Sequence, residues 1–202
     1  MYIADMFCYG KSAEFVGVNG IVGCVGVFLA YNKMLYAIHI PDSINYNSVA
    51  RTEFGKFIGR EATGMDGNQA QVVAVLNNDN RPGGPAEVAA ICKDLGVPRF
   101  TMIRLRKNIP ISPSSKEPAA VAVLCEFTPE SYVPNVGMQF SDTLRLKYQV
   151  DSRVRWEKNR GEARIGQYRA MRDDEKLYVS GALGAGWDWV DTTSGDITVQ
   201  SA

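Results

Sequence analysis

The sequence predicts an α/β or α+β fold in which a central, mostly antiparallel sheet is flanked by helices. Apolar, β-branched stretches bounded by turn residues alternate with stretches of helical spacing, in the order strand, helix, strand, helix, strand up to about residue 105. A chain of 202 residues is long enough for one sizeable core. We therefore predict a single domain with a core over about 1–106 and a C-terminal extension over about 119–202, separated by the Pro- and Ser-rich stretch 107–118.

A hairpin near the N-terminus carries the residues of greatest chemical interest. The stretch IVGCVGVFL, residues 21–29, is apolar and rich in β-branched residues, which predicts a buried strand. NKMLYAIHI, residues 32–40, predicts a second strand, and residues 31–33 predict the turn between them. With the turn centred between residues 31 and 32, Cys24 and His39 face each other, and directly opposed residues have Cβ atoms about 4.5 to 5.5 Å apart.

Two helices and further strands are predicted after the hairpin. Helical spacing of Ala50, Phe54, Phe57 and Ile58 indicates an amphipathic helix, and Gly96 ends the second helix. The remaining predicted core elements are an entry turn over 41–47, a strand over 70–77, a helix over 84–97 and a strand over 99–105. In the extension we predict strands over 119–127 and within 138–150, a charged helix or mobile segment over 155–178, and a Gly- and Trp-rich C-terminal segment.

Composition excludes several functional classes. The 22 basic residues balance the 22 acidic residues, so no bulk electrostatic attraction to nucleic acid is predicted. The sequence shows neither a Sec-type signal nor an apolar run of membrane-spanning length, which predicts a location in the cytoplasm or secretion by a route without a Sec signal. The four cysteines form no C-x-x-C pair and share one histidine, so no zinc site is predicted and the cysteines are expected to be thiols.

Cys24 and His39 have the residue types of a nucleophile and its base. A thiol becomes a strong nucleophile as a thiolate, and an adjacent imidazole both removes the proton and stabilises the ion pair. Gly23 permits close approach of a substrate carbonyl, which makes the N–H of Cys24 and a neighbouring N–H candidates for binding an oxyanion. The alternative is that both are core residues, because a cysteine in an apolar strand usually behaves as a small hydrophobic residue.

The segment GCVGVFLAYNKMLYAIHIPD resembles a segment of the bacterial chemoreceptor glutamine deamidases, the CheD family. In that family it contains Gly-Ser-Cys-Val-x-Val, a short turn, and Ala-His-x-x-Leu-Pro before a helix. The separation of 15 residues between Cys24 and His39 is also similar to that in the cytotoxic necrotizing factor toxins, which share the deamidase core. The resemblance is specific over Val18–Asp42 and weaker to about Leu105, and it implies a deamidase-like sandwich with Cys24 and His39 as the catalytic pair.

The resemblance also implies a third element and an activity. Where the chemoreceptor enzymes have a threonine, six residues before the cysteine, this chain has Val18. In the toxins a valine carbonyl is the third element, so we expect the main-chain oxygen of Val18 to orient His39, with Asn19 as the polar alternative. The implied function is deamidation of glutamine to glutamate in a target protein, without a cofactor, of the kind used by bacterial effector toxins in virulence. The alternatives are an inactive binding module of the same fold, a transglutaminase or a protease.

Overall fold

The computed structural model describes residues 2–4, 8–21, 23–41, 44–76, 84–105, 121–127, 144–150, 154–156, 169–170, 177–179, 188–189 and 197–201. Within these ranges the chain forms two helices, α1 (Ile44–Glu61) and α2 (Gly84–Asp94). The strands in these ranges are β1 (Tyr2–Ala4), β2 (Cys8–Ser12), β3 (Phe15–Ile21), β4 (Val25–Tyr31), β5 (Met34–Ile40), β6 (Gln71–Leu76), β7 (Arg99–Arg104), β8 (Val121–Phe127), β9 (Leu144–Val150), β10 (Val154–Trp156), β11 (Arg169–Ala170), β12 (Leu177–Val179), β13 (Asp188–Trp189) and β14 (Ile197–Ser201).

The strands form two large sheets and one small one. The order of the seven-stranded sheet is β11-β2-β5-β4-β6-β7-β14, and that of the five-stranded sheet is β1-β3-β8-β9-β13. Strands β10 and β12 form a separate antiparallel pair. Parallel pairing is limited, in the described strands, to β1 with β3, β2 with β11 and β6 with β7. The prediction of a mostly antiparallel sheet with helices, compatible with an α+β fold, is therefore confirmed.

The hairpin of β4 and β5 has a two-residue turn at Asn32 and Lys33. Both residues have positive φ, +48° and +59°, as a type I′ turn requires, and this turn matches the twist of the flanking strands. The hairpin is therefore centred one residue later than predicted, and Gly26, rather than Cys24, lies opposite His39. The predicted direct opposition of Cys24 and His39 is wrong.

Strands β2, β5, β4, β6 and β7 of the seven-stranded sheet are buried on both faces. Because successive side chains of a strand point to opposite faces, each of these five strands contributes to two cores. The core on the helix side comprises Tyr9, Val25, Val27, Leu29, Tyr36, Ile38, Ile40, Ala50, Phe54, Phe57, Ile58, Ala62, Ala70, Val72, Ala74, Leu76, Val88, Ile91, Cys92, Val97, Phe100 and Met102. The core between the sheets, called here the inter-sheet layer, comprises Cys8, Val16, Val18, Ile21, Phe28, Ala30, Leu35, Ala37, Val73, Val75, Ile103, Leu105, Val121, Val123, Cys125, Leu144 and Leu146. Burial on both faces explains why the central strands have nearly continuous apolar sequences.

The helices use the apolar faces that their spacing predicts. The Phe57 ring packs on the Tyr9 ring of β2, with centroids 4.3 Å apart. At the end of α2, Gly96 has a φ of +69°, and the N–H of Val97 donates to the carbonyl of Cys92 at 2.8 Å. This Schellman arrangement confirms Gly96 as the end of the helix. Helix α1 begins at Ile44, inside the predicted entry turn.

The C-terminal half contributes strands to both large sheets. Strand β8 pairs with β3 in the five-stranded sheet, and β14 pairs with β7 at the edge of the seven-stranded sheet. The charged helix predicted over 155–178 is wrong where the chain is described, because the ranges 154–156, 169–170 and 177–179 are strands. Pairing with distant strands outweighs local charge and helix propensity there. The rest of that segment, and the Pro- and Ser-rich stretch 107–118, lie outside the described residues.

Candidate active site

Cys24 lies at the end of the seven-stranded sheet where several strands end. In the sheet register Val25 is opposite both Ile40 and Leu76, and Leu76 is beside Arg104. Strands β5, β6 and β7 therefore end at the level at which β4 begins. Cys24 directly precedes β4, in a bend, so the thiol lies at this end of the sheet. Binding sites of α/β proteins frequently occur outside strand ends of this kind, where loops converge.

Cys24 lies near His39 in the register of the hairpin. Gly26 is opposite His39, and Cys24, in the bend directly before β4, precedes Gly26 by two residues. Extending the alternation of β4 to Cys24 predicts that its side chain and that of His39 point to the same side of the sheet. Such diagonal neighbours have Cβ atoms roughly 7 to 8 Å apart or slightly less, within reach of a long side chain such as imidazole. The sheet geometry brings the two residues together as diagonal neighbours, and a hydrogen bond between them remains a prediction.

Burial distinguishes His39 from the other polar residues. Among the side chains that the structure describes, His39 is the one buried polar or charged group, with 1% of its surface exposed. An imidazole in an apolar layer carries a desolvation cost, so its presence there points to a role beyond packing. Cys24 is 6% exposed, and Gly23 beside it is partly exposed. Of these two neighbouring residues, Gly23 is therefore the one that is more open to solvent.

Strand β3 brings Val18 and Asn19 to the site. Val18 is opposite Val123 of β8, the next pair is Ile21 with Val121, and the register shifts between them. Two residues of β3, Asn19 and Gly20, thus span the position of one residue of β8, which is a β-bulge; the φ of Gly20 is +75°. Bulges are over-represented beside active sites, where they redirect backbone and side chains.

Val18 reaches the hairpin through Gly26. A Cβ placed on Gly26 would lie 3.3 Å from the Cβ of Val18, so Val18 packs against the residue that is opposite His39. Val18 is fully buried in the inter-sheet layer, whereas Asn19 is partly exposed. The structure therefore assembles Val18, Gly23, Cys24 and His39 in one region. The hydrogen bond from the imidazole to the Val18 carbonyl stays a prediction.

Cys8 is a neighbour of His39 that the sequence does not reveal. Tyr9 of β2 pairs with Ile38 of β5, so one step further along this antiparallel register Cys8 is opposite His39. Both residues are buried, and Cys8 belongs to the inter-sheet layer. Opposed residues have Cβ atoms about 4.5 to 5.5 Å apart, closer than the diagonal distance to Cys24. The segment CYGKS has no local strand pattern, and only the pairing of β2 with β5 identifies this neighbour.

The other two cysteines are poor nucleophiles. Burial raises the pKa of the Cys92 thiol from 9.0 to about 12. Burial also raises the pKa of the Cys125 thiol, with a smaller contribution from the negative charge of Glu126. Because the thiolate is the reactive form, both groups are unreactive at neutral pH. The thiols available to His39 are therefore those of Cys8 and Cys24.

The raised pKa of Cys92 predicts a loss of stability in alkaline solution. The unfolded thiol ionises above its pKa of 9.0, whereas the buried thiol stays protonated up to about 12. The stabilisation is thus fully present below about pH 9 and is lost as the pH rises toward 12. Between about pH 8 and pH 10 we expect the free energy of unfolding to fall by about 1.4 kcal/mol through this thiol. Urea unfolding of the wild type and Cys92→Ala at both pH values measures it, and equal pH dependence in the two proteins would contradict it.

The described residues contain neither a cluster of potential metal ligands nor a helix that could span a membrane. No three histidine, cysteine or acidic side chains come together in the described ranges as a set of metal ligands. Neither α1 nor α2 has the length and apolar character needed to cross a lipid bilayer. Comparison of the chain with protein-family models and with curated proteins finds no match.

Proposed function

We propose that this protein is a cysteine-dependent glutamine amidohydrolase that deamidates a glutamine in a protein substrate. The supporting observation is that Cys24 lies two residues before Gly26, which is opposite buried His39, at the end of the sheet where β5, β6 and β7 end. A thiol or an imidazole that only fills space in a core does not require the other group beside it. The resemblance around both residues to the glutamine deamidases selects this reaction among those open to a thiol and an imidazole.

The proposed reaction has two steps. The Cys24 thiolate attacks the side-chain amide carbon of glutamine, and the C–N bond breaks as protonated His39 gives its proton to the departing ammonia. Water, deprotonated by His39, then attacks the thioester, and cleavage of the C–S bond releases glutamate and the thiol. The N–H of Cys24 and a neighbouring N–H beside Gly23 donate to the oxyanion of each tetrahedral intermediate. Glutamine and water give glutamate and ammonia, and no cofactor takes part.

The third element of the site is proposed to lie in β3. A hydrogen bond from the imidazole to the main-chain oxygen of Val18 fixes the tautomer and orientation of His39, as the acidic residue of a catalytic triad does. Asn19 is the alternative acceptor, through its side-chain amide. By the same resemblance we propose that the protein acts as a bacterial effector on a target protein, either in the cytoplasm of the producing cell or in a host cytosol after secretion without a Sec signal.

An inactive binding module is the second candidate. It is favoured by the burial of both groups, since His39 is 1% and Cys24 is 6% exposed, and by Val18 at the position where the chemoreceptor enzymes have threonine. A transglutaminase would share the thioester but transfer it to an amine, and a protease would cleave the peptide bond. Ammonia release without peptide cleavage or crosslinking distinguishes deamidation from both.

Mass spectrometry of a treated cell lysate tests the proposed function. We expect the wild type to convert particular glutamines of one or a few lysate proteins to glutamate, and Cys24→Ser to leave them unchanged, because a serine hydroxyl is not ionised by one imidazole as readily as a thiol. Cys92→Ala is the matched control, since this buried cysteine lies in α2, outside the proposed site. Sites converted equally by wild type and Cys24→Ser, or no converted site, would refute the proposed function.

A further inference from the structure

We propose that Gly26 is a positioning residue whose missing side chain allows the bulge of β3 to lie beside His39 and orient the imidazole. The inference rests on the proposed function, because it concerns the base of the same reaction. Gly26 is opposite His39 in the hairpin, and β3 runs close to both β4 and β5. Glycine, which has no side chain, thus stands opposite His39 and leaves room for β3 beside the hairpin.

The space above Gly26 is filled by residues of β3. A Cβ added there would lie 2.9 Å from Cδ1 of Ile21 and 3.3 Å from Cβ of Val18, with Cε2 of Phe28 at 3.5 Å. Carbon atoms pack best at about 3.5 to 4.0 Å, so the Ile21 side chain would have to rotate and the Cβ of Val18, which is fixed to the main chain, would have to shift by a few tenths of an ångström. Gly26 is not among the glycines with positive φ in the described chain, so space rather than backbone conformation demands glycine.

The two residues that pack on Gly26 are the two that flank the bulge. Val18 and Ile21 are the residues of β3 that pair with β8 on either side of Asn19 and Gly20. A bulge disrupts the ladder locally and redirects main-chain groups. Holding Val18 and Ile21 against Gly26 therefore holds the redirected backbone of β3 over the hairpin at the level of His39. This gives the third element of the site a physical basis that does not depend on which residue, Val18 or Asn19, accepts from the imidazole.

The effect on His39 can be measured through Cys24. In the described parts of β2, β3, β4 and β8, the titratable groups of the inter-sheet layer are the thiols of Cys8 and Cys125, and the Cys24 thiol directly precedes β4. An imidazole that moves or turns changes the thiolate fraction of Cys24, and hence its rate of alkylation. This rate requires no substrate.

The test compares the pH profile of Cys24 alkylation by iodoacetamide, resolved by peptide mass spectrometry, in matched variants. Relative to the wild type, we expect Gly26→Ala to lower the rate at neutral pH about tenfold, part of the way toward that of His39→Asn, because Val18 must shift by a few tenths of an ångström and a misplacement of about 1 Å costs about a hundredfold. Gly26→Ala with Ile21→Val should recover part of the lost rate, since valine lacks the Cδ1 atom that the new methyl group would meet at 2.9 Å, whereas the 3.3 Å contact with the Cβ of Val18 stays. Gly55→Ala, with no atom within 4 Å of its new Cβ, should leave the profile unchanged.

The outcomes separate this inference from the proposed function. If wild type and His39→Asn have the same profile, Cys24 and His39 do not interact, and both proposals fail. If the wild-type thiol is activated and Gly26→Ala has the same profile, the role of Gly26 alone is refuted.

Should Gly26→Ala not fold, Gly20→Ala takes its place. An alanine at this position in the bulge would be strained by the positive φ alone, because no atom lies within 4 Å of its new Cβ. We expect Gly20→Ala to slow alkylation and Gly20→Asn to preserve it, since asparagine tolerates positive φ; an unchanged profile in Gly20→Ala would overturn the inference.

Discussion

Cys24→Ala is expected to reduce the deamidation rate at least about ten-thousandfold, the effect of removing the nucleophile of a covalent enzyme. Without the thiol no thioester forms, and the two backbone donors beside Gly23 can only stabilise direct attack by water. The rate is measured as ammonia released from the substrate identified in the lysate experiment. Unfolding in urea, followed by circular dichroism, establishes that the variant is folded.

The matched control is Cys8→Ala. Both cysteines are buried and both neighbour His39, Cys8 from β2 and Cys24 from the start of β4. The two substitutions therefore remove the same atom at similar depth on opposite sides of one imidazole. We expect Cys8→Ala to retain most of the activity, because Cys8 lies in β2, which pairs with β5 on one side and with β11 on the other. Cys24, in contrast, lies in the bend next to partly exposed Gly23. Loss of activity in Cys8→Ala, with activity kept in Cys24→Ala, would reassign the nucleophile to β2.

The sequence predicts those parts of the fold that depend on local pattern. The hairpin, the apolar face of α1 and the end of α2 at Gly96 all follow from periodicity and turn residues. The sequence pattern does not predict the strands β1 to β3, β10 to β12 and β14, because their apolar residues are few or interrupted by glycine and polar residues. Such strands are stabilised by pairing with distant parts of the chain, which a local pattern does not record.

The site shows the same division between local and long-range information. One 25-residue stretch predicts Cys24 and His39 as a pair, but their relative position depends on the turn, and a shift of the turn by one residue replaces direct opposition with a diagonal relation. The proximity of Val18 to the hairpin arises from packing between two sheets. The proximity of Cys8 to His39 arises from the pairing of β2 with β5, although the two residues are 31 positions apart in the sequence. Such proximity follows from the arrangement of the sheets and not from spacing in the sequence.

A second large effect is expected at Gly67, in the turn between α1 and β6. A Cβ on this glycine would overlap the carbonyl group of Gly96 and lie 2.8 Å from the carbonyl oxygen of Leu95. These atoms belong to the backbone at the end of α2, where the N–H of Val97 donates to Cys92 at 2.8 Å. A flexible side chain could rotate away from a new methyl group, but this backbone is held by the helix and by buried Val97.

We therefore expect Gly67→Ala to lower the free energy of unfolding by about 3 kcal/mol, at the upper end of the range for overpacking. For a chain of this size the corresponding fall in Tm is about 6 to 12 °C. Gly59→Ala is the control, because this glycine is exposed within α1 and no atom lies within 4 Å of the new Cβ. It should stabilise the protein by about 0.5 to 1 kcal/mol through the better helix propensity of alanine. Urea unfolding of both variants measures the difference, and a Gly67→Ala protein as stable as the wild type would show that the turn and the end of α2 are not in contact.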